Sequence, residues 1–344
     1  MERARIKQFA GATGRWTAAH PLFWPLLTLA LLLLISVIVQ PGFLRVGWVD
    51  GRLQGNLIDV LNRVAPLMLV SVGMTLVIAI RGLDISVGAV VAISGAIAAL
   101  LIGRFPLGAA IAGALGAAAL CGLWNGLLVV KAGMQPIVAT LILMVAGRGI
   151  AQLITDGQIL TIYYAPFFYI GNGYFAGLPF ALVIAVLVAV GVHLVLSKTA
   201  MGLFVRSIGI NPVAARVAGV RSRLITIGLY GFCGLTAGVA GLIITSNVKS
   251  ADANNAGQLM ELDAILAVAL GGTALTGGRF SLAGTIVGAL ILQTLTSMIY
   301  SSGVPPEVNL VVKAVLVFVV MLLQSQELRR MIVSGLSQAG TRAH

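Results

Sequence analysis

Charged side chains are scarce here: they make up 9% of 344 residues, and only 10 acids stand against 22 bases. An ordinary soluble domain is about 25% charged, and a chain that is 59% hydrophobic could not hide so much apolar surface from water. A fold surrounded by water is therefore excluded. Histidine is rarer still: His20, His193 and His344 stand far apart, in no metal-binding spacing, so no metal centre is expected. The two cysteines, Cys121 and Cys233, both fall inside apolar runs and read as small buried residues, not as a disulfide or redox pair. The one stretch near a phosphate-loop pattern, Leu196-Ser197-Lys198-Thr199, lacks the glycine before the lysine and the glycine five positions earlier. With no Ser/His/Asp or Cys/His set to propose, the chain is expected to hold no cofactor and to catalyse nothing itself. Aromatics are only 6%, and the bases are scattered among short loops, so the pI near 10.5 does not indicate a nucleic acid partner.

What the sequence has in abundance is long uncharged runs. Pro21 to Leu44, Phe105 to Val130, Leu224 to Val248 and Phe280 to Pro306 contain no Asp, Glu, Lys or Arg, and each reaches the roughly 20 residues an α-helix needs to cross about 30 Å of hydrocarbon. Membrane strands are about half that length and alternate in polarity, so these are helices. The expected fold is all-α and polytopic in a lipid bilayer. Ten spans fit, near 22–40, 60–80, 85–103, 106–130, 135–154, 178–197, 224–246, 264–278, 282–301 and 308–326. With the N-terminus inside, fifteen of the 22 bases fall on the cytoplasmic side, among them Arg3, Arg81, Lys131, Lys198, Arg206, Arg279 and Arg330, opposed there only by Glu2, Asp84 and Glu327. The division is then a cytoplasmic segment 1–20, a transmembrane domain 21–326 with a cytoplasmic loop 198–223, and a cytoplasmic tail 327–344. Both termini lie inside, and an inverted five-helix repeat is suggested only by the echo of Leu83-Asp84 in Leu262-Asp263.

Small residues at helical spacing, such as Gly113, Gly116, Gly122 and Gly126, or Gly231, Gly234, Gly238 and Gly241, point to close helix packing. Polar residues break the apolar pattern at a few places. Arg81-Gly82-Leu83-Asp84-Ile85-Ser86 joins two spans with almost no loop. A charge at depth needs a cavity or a partner: either Arg81 pairs with Asp84, or Asp84 and Ser86 shape a pathway. Asn125, Gln135, Thr140, Arg148 and Gln152 are further pathway or gate candidates. For Asn125 an interhelical hydrogen bond is the reading favoured over lining a pathway, and Arg148 could instead snorkel to headgroups. Asp252, Asn254, Asn255 and Glu261 lie in a polar stretch that reads as a solvated outer loop or a docking surface. In 198–223, Asn211 suits a helix N-cap and Pro212 the first helical position, so a short helix Pro212 to Ala218 ended by Gly219 is expected, to contact a partner or the membrane surface.

Together these residues resemble the permease subunits of bacterial ABC sugar importers of the ribose type. The resemblance rests on Gly73-Met74-Thr75 with Gly82-Leu83-Asp84-Ile85-Ser86-Val87-Gly88, on Gln135-Pro136 and Gly147-Arg148-Gly149, on Gly202 to Gly219, and on Gly271-Gly272 with Gly277-Gly278-Arg279. Asp50-Gly51-Arg52-Leu53, Ala251 to Gly257 and Glu261 to Leu266 look most like permeases of galactofuranose importers. One departure is Arg81, where the family usually has glycine. The resemblance implies a multi-pass protein of the bacterial inner membrane that moves a monosaccharide by alternating access. It implies a cytoplasmic ATP-binding subunit that uses ATP and Mg, a periplasmic sugar-binding protein, and a second permease chain, related but different. It also implies that Gly202, Arg206, Gly209, Asn211, Ala214, Ala215, Arg216 and Gly219 couple to the ATPase, and that Ala215→Glu would uncouple without unfolding. An ion-coupled secondary transporter of a small polar solute is the alternative the spans leave open.

Overall fold

Lipid offers the backbone no hydrogen bonds, so an apolar run must satisfy its own amides, and it does so as a helix. The computed structural model describes residues 22–49, 51–303, 308, 310–312, 314–315 and 318–319. The terminal segments 1–20 and 327–344, much of the expected span 308–326, and Asp50 lie outside the described residues. The helices are α1 (Phe23–Val39), α2 (Asn56–Ala79), α3 (Val87–Leu101), α4 (Leu107–Val130), α5 (Pro136–Ile154), α6 (Ala165–Asn172), α7 (Phe180–Lys198), α8 (Met201–Ile210), α9 (Pro212–Val217), α10 (Ser222–Val248), α11 (Met260–Leu270) and α12 (Leu282–Ser301). Three two-stranded ribbons join them: β1 (Gly47–Val49) with β2 (Arg52–Gln54), β3 (Leu160–Thr161) with β6 (Ser250–Ala251), and β4 (Tyr174–Phe175) with β5 (Leu178–Pro179), all antiparallel.

Six of the described helices, α2, α4, α5, α7, α10 and α12, are long and apolar enough to cross a membrane. The runs at 22–40 and 85–103 form the shorter α1 and α3, of 17 and 15 residues. The run at 264–278 is helical only as far as Leu270. Its helical part, α11, has 11 residues and covers about 16 Å, and the chain from Gly271 to Ser281 is irregular because Gly272, Gly277 and Gly278 take left-handed backbone.

The centre of the bundle is α10, which packs on α2, α3 and α4. The α4–α10 seam is the close packing that the small residues lead one to expect: Gly122 and Gly126 meet the backbone of α10 at Tyr230 and Ile227, and Gly234 meets α4 at Ala118 and Gly122. Gly241 continues the α10 face against Val91 of α3, whereas Gly116 faces open space. Almost every residue of α2 from Val64 onward is buried, so its internal Pro66 is shielded by neighbouring helices. The outer sides of α4, α5 and α7 present exposed Leu120, Trp124, Val145, Leu187 and Leu194.

The order of long helix, irregular segment and short helix occurs twice, as α2, 80–86, α3 and as α10, 249–259, α11. Both irregular segments reach into the bundle. Tyr230, about 12 Å along α10, touches Leu83, and Val91 lies at Gly241, about 28 Å along it. Gly257 folds back from the far end of α10 to lie against Gly88 and Val91. The echo of Leu83-Asp84 in Leu262-Asp263 is out of register with this order: the first pair precedes its short helix and the second lies inside α11.

Candidate functional site

The chain leaves α2 by a Schellman turn. Arg81 N donates to Ile78 O at 2.9 Å and Gly82 N to Val77 O at 2.9 Å, with Arg81 left-handed at φ 65°. Gly82 must be small, since a Cβ there would sit 2.6 Å from the Tyr230 hydroxyl. The chain then turns inward and buries Asp84, which is 1% exposed. A buried polar group is costly unless it is bonded. Asp84 Oδ1 accepts from Ser86 N at 3.0 Å, Ser86 Oγ at 2.6 Å and Asn125 Nδ2 at 3.3 Å, and the same Asn125 amide reaches Ser86 Oγ at 2.8 Å. Thr140 Oγ1 of α5 accepts from Ile85 N at 3.2 Å and lies 3.0 Å from Pro136 O, to which it donates. Tyr230 of α10 donates to Leu83 O at 3.3 Å. Three helices thus hold one short irregular segment, and Asn125 Oδ1 remains buried without a hydrogen-bond partner.

The seven pathway candidates separate. Asp84, Ser86, Asn125 and Thr140 come together at this break. Arg148 and Gln152 are elsewhere: Arg148 Nη1 donates to Ala253 O at 3.0 Å and Ala256 O at 2.7 Å, and Gln152 Nε2 to Asn254 Oδ1 at 2.7 Å. They tether the segment 249–259 to α5. Gln135 is exposed at the start of α5 and joins neither group. The Arg81–Asp84 pair does not form, because the Arg81 guanidinium turns outward to Gly209 O and Ile210 O, both at 2.6 Å.

Of the docking candidates, Asn254 and Asn255 are exposed and Asp252 is half-buried. Asp252 organises them by accepting from Asn254 N, Asn255 N and Asn255 Nδ2 at 2.9, 3.2 and 2.7 Å. The Asn255 side-chain amide holds its carboxyl below the usual carboxylate range against the opposing effect of burial, with the backbone amides and Arg148 adding to the lowering. Glu261 lies apart from them, 4% exposed, with its carboxylate against Gly88.

In 198–223 the expected short helix is present as α9, with Asn211 Oδ1 capping Val213 N and Ala214 N at 3.0 Å and Gly219 left-handed after it. The sequence reading missed α8, which packs on α2 and α7. Gly202 and Gly209 serve close backbone approaches, at Leu196 and Ala79, and Arg206 lies 5.5 Å over the Phe280 ring. Ala214, Arg216 and Val217 are exposed, but Ala215 is 4% exposed and part of the core. A glutamate at 215 would therefore bury a charge, so the Ala215→Glu variant cannot separate coupling from folding. Sequence reasoning also missed Tyr230 and the Thr75–Thr285 hydroxyl bond of 2.8 Å between α2 and α12. Both join elements far apart in the chain.

Cys121 and Cys233 are free thiols, and among the described residues no three His, Cys, Asp or Glu side chains could hold a metal ion. The site is a set of hydroxyl, amide and carboxyl groups at a break between helices, suited to hydrogen bonding.

The model of a family described as branched-chain amino acid transport system / permease component matches residues 56–321. The chain is 50% identical over 313 residues to the galactofuranose transporter permease protein YtfT of Escherichia coli strain K12, covering 91% of each chain. It is 39% identical over 319 residues to the fructose import permease protein FruF of Bifidobacterium longum, covering 90% of this chain and 89% of that one. It is 38% identical over 307 residues to the ribose import permease protein RbsC of Bacillus subtilis, covering 88% and 92%. No solved structure gives a significant match.

Proposed function

The chain belongs to the branched-chain amino acid transport system / permease component family, and from that premise we propose that it forms the membrane pathway of an ATP-driven, binding-protein-dependent sugar importer. The solute is galactofuranose or a sugar of its kind. The half-identity to a galactofuranose transporter permease along nearly the whole of both chains carries this reading, and the related permeases for fructose and ribose point to the same class of solute.

The polar break supports a passage over a tight binding site. Asp84, Ser86, Asn125 and Thr140 offer hydroxyl, amide and carboxyl groups, while the chain is only 6% aromatic and so has few rings for a sugar to stack on. Selectivity then rests with a periplasmic sugar-binding protein, which docks at the outer segment through Asp252, Asn254 and Asn255. Energy comes from a separate cytoplasmic subunit that binds ATP and Mg and meets α8 and α9. A related second permease completes the pathway, and both chains lie in the bacterial inner membrane with their termini in the cytoplasm. ATP binding moves solute only if it favours one access state over the other through a shared contact, which the exposed side of α9 offers.

The test is reconstitution of the two permeases and the ATP-binding subunit in proteoliposomes, with uptake of radiolabelled galactose as the readout. Uptake is expected to need both ATP and the binding protein. Uptake driven by a proton or sodium gradient without ATP would overturn the proposal in favour of a secondary transporter.

A further inference from the structure

Position 81 is where the last turn of α2 becomes left-handed, the C′ position of its Schellman turn, and glycine fills that position most easily because a Cβ is strained there. This chain has an arginine at φ 65°. The side chain that carries the strain makes two specific bonds across a gap of 128 and 129 residues: Nε to Gly209 O and Nη2 to Ile210 O, each 2.6 Å. Those carbonyls belong to the last turn of α8, where helix carbonyls have no partner within the helix and the helix dipole is negative, so a guanidinium fork is well matched to them. A second link lies at the same place. Gly278 N donates to Ala79 O at 2.9 Å, a Cβ on Gly209 would overlap Ala79 and Gly278, and Gly277 leaves room for Arg81 Cγ. The ends of α2 and α8 and the Gly277–Gly278 turn therefore meet at Arg81. Three residues further on is Asp84, the centre of the buried break. On the other side, Asn211 follows Ile210 directly and caps α9.

We propose that Arg81 is the positioning residue that ties the buried break at Asp84–Ser86 to the α8–α9 segment, so that a displacement of α8 and α9 moves the break. The inference rests on the reading of α8 and α9 as the contact with the ATP-binding subunit. Its geometry gives a substitution that separates linkage from folding. Arg81→Gly removes the fork and also relieves the left-handed strain, so the melting temperature of the purified complex is expected to stay level or rise. Arg81→Lys keeps the charge but lacks the rigid planar fork that matches two successive carbonyls.

The experiment measures, in proteoliposomes of the complete complex, radiolabelled galactose taken up per ATP hydrolysed and the stimulation of hydrolysis by the loaded binding protein. For Arg81→Gly both are expected to fall about tenfold, within the range of measured coupling effects, with Arg81→Lys intermediate and Arg81→Gly not melting below wild type. A ratio for Arg81→Gly within twofold of wild type overturns the inference. So does a loss that comes with a lower melting temperature of Arg81→Gly, since that is a purely structural role. A wild-type complex that takes up galactose without hydrolysing ATP overturns the functional reading itself, and the inference with it.

Discussion

The two irregular segments, 80–86 and 249–259, stand in the same relation to their helices, yet they are held in opposite ways. The first turns side chains inward: Asp84 is buried and bonded by Ser86 and Asn125, with Thr140 and Tyr230 binding the backbone beside it. The second leaves its carboxylate half-buried, where Asp252 binds its own loop, and is fastened by Arg148 and Gln152 reaching over from α5. The difference follows from what a buried carboxyl requires. Unpaired at depth it needs several donors fixed around it, so the inner break is closely held, whereas a carboxyl nearer the surface can be satisfied by its own loop while a neighbouring helix fastens the backbone.

Removing the centre of the inner network has the largest expected effect. Asp84→Ala leaves the Ser86 amide and an Asn125 donor without their acceptor in a buried place, which should destabilise the protein by about 3 kcal/mol. Thermal melting in detergent measures it, with Asp84→Asn, which keeps an acceptor oxygen, losing less than half as much. Equal melting temperatures for wild type and Asp84→Ala would show that the network is not what holds the break.

The outer segment meets the start of α3 at Gly88, whose missing Cβ leaves room for Gly257 O and for Glu261 of α11. Gly88→Val should drive them apart at a cost of about 1–3 kcal/mol, and uptake should be lost while the variant still inserts. Normal uptake would mean that their contact is not needed during transport.

Arg148→Ala frees the carbonyls of Ala253 and Ala256, a loss of about 1–2 kcal/mol confined to the outer segment. Hydrogen exchange should quicken over 252–259 and stay unchanged at 80–86. Faster exchange in both would show that the two are one cooperative unit.

The smallest effect is that of pH on the outer loop. The Asp252 carboxyl is held below its ordinary 3.8, so its contribution is present above that value and fades as pH falls through the lower folded value. Exchange at Asn254 and Asn255 should therefore quicken only in acid below pH 3.8. Quickening near neutral pH would point to a different group.

The legible features were those whose cause is local. Apolar runs became helices, the small faces of α4 and α10 packed together, and Asn211 with Pro212 began a helix, because each depends on neighbours within a few turns. Asp84 and Ser86 could be singled out because a charge in an apolar run is unusual, but the donors around them come from α4, and their backbone is held from α5 and α10. Arg81 suggested a pair with Asp84 by spacing alone, and α8, whose carbonyls it reaches, had no signal in the sequence. Ala215 and Glu261 were placed on surfaces by their company in the sequence, and tertiary packing buries both.

Composition and hydropathy by themselves determined that this protein lives in lipid and that its backbone is helical, because both follow from the solvent each residue prefers. Tertiary structure alone decided which acids are buried and which carbonyls a guanidinium reaches, since these depend on residues 41 to 128 positions apart arriving within hydrogen-bond reach of one another.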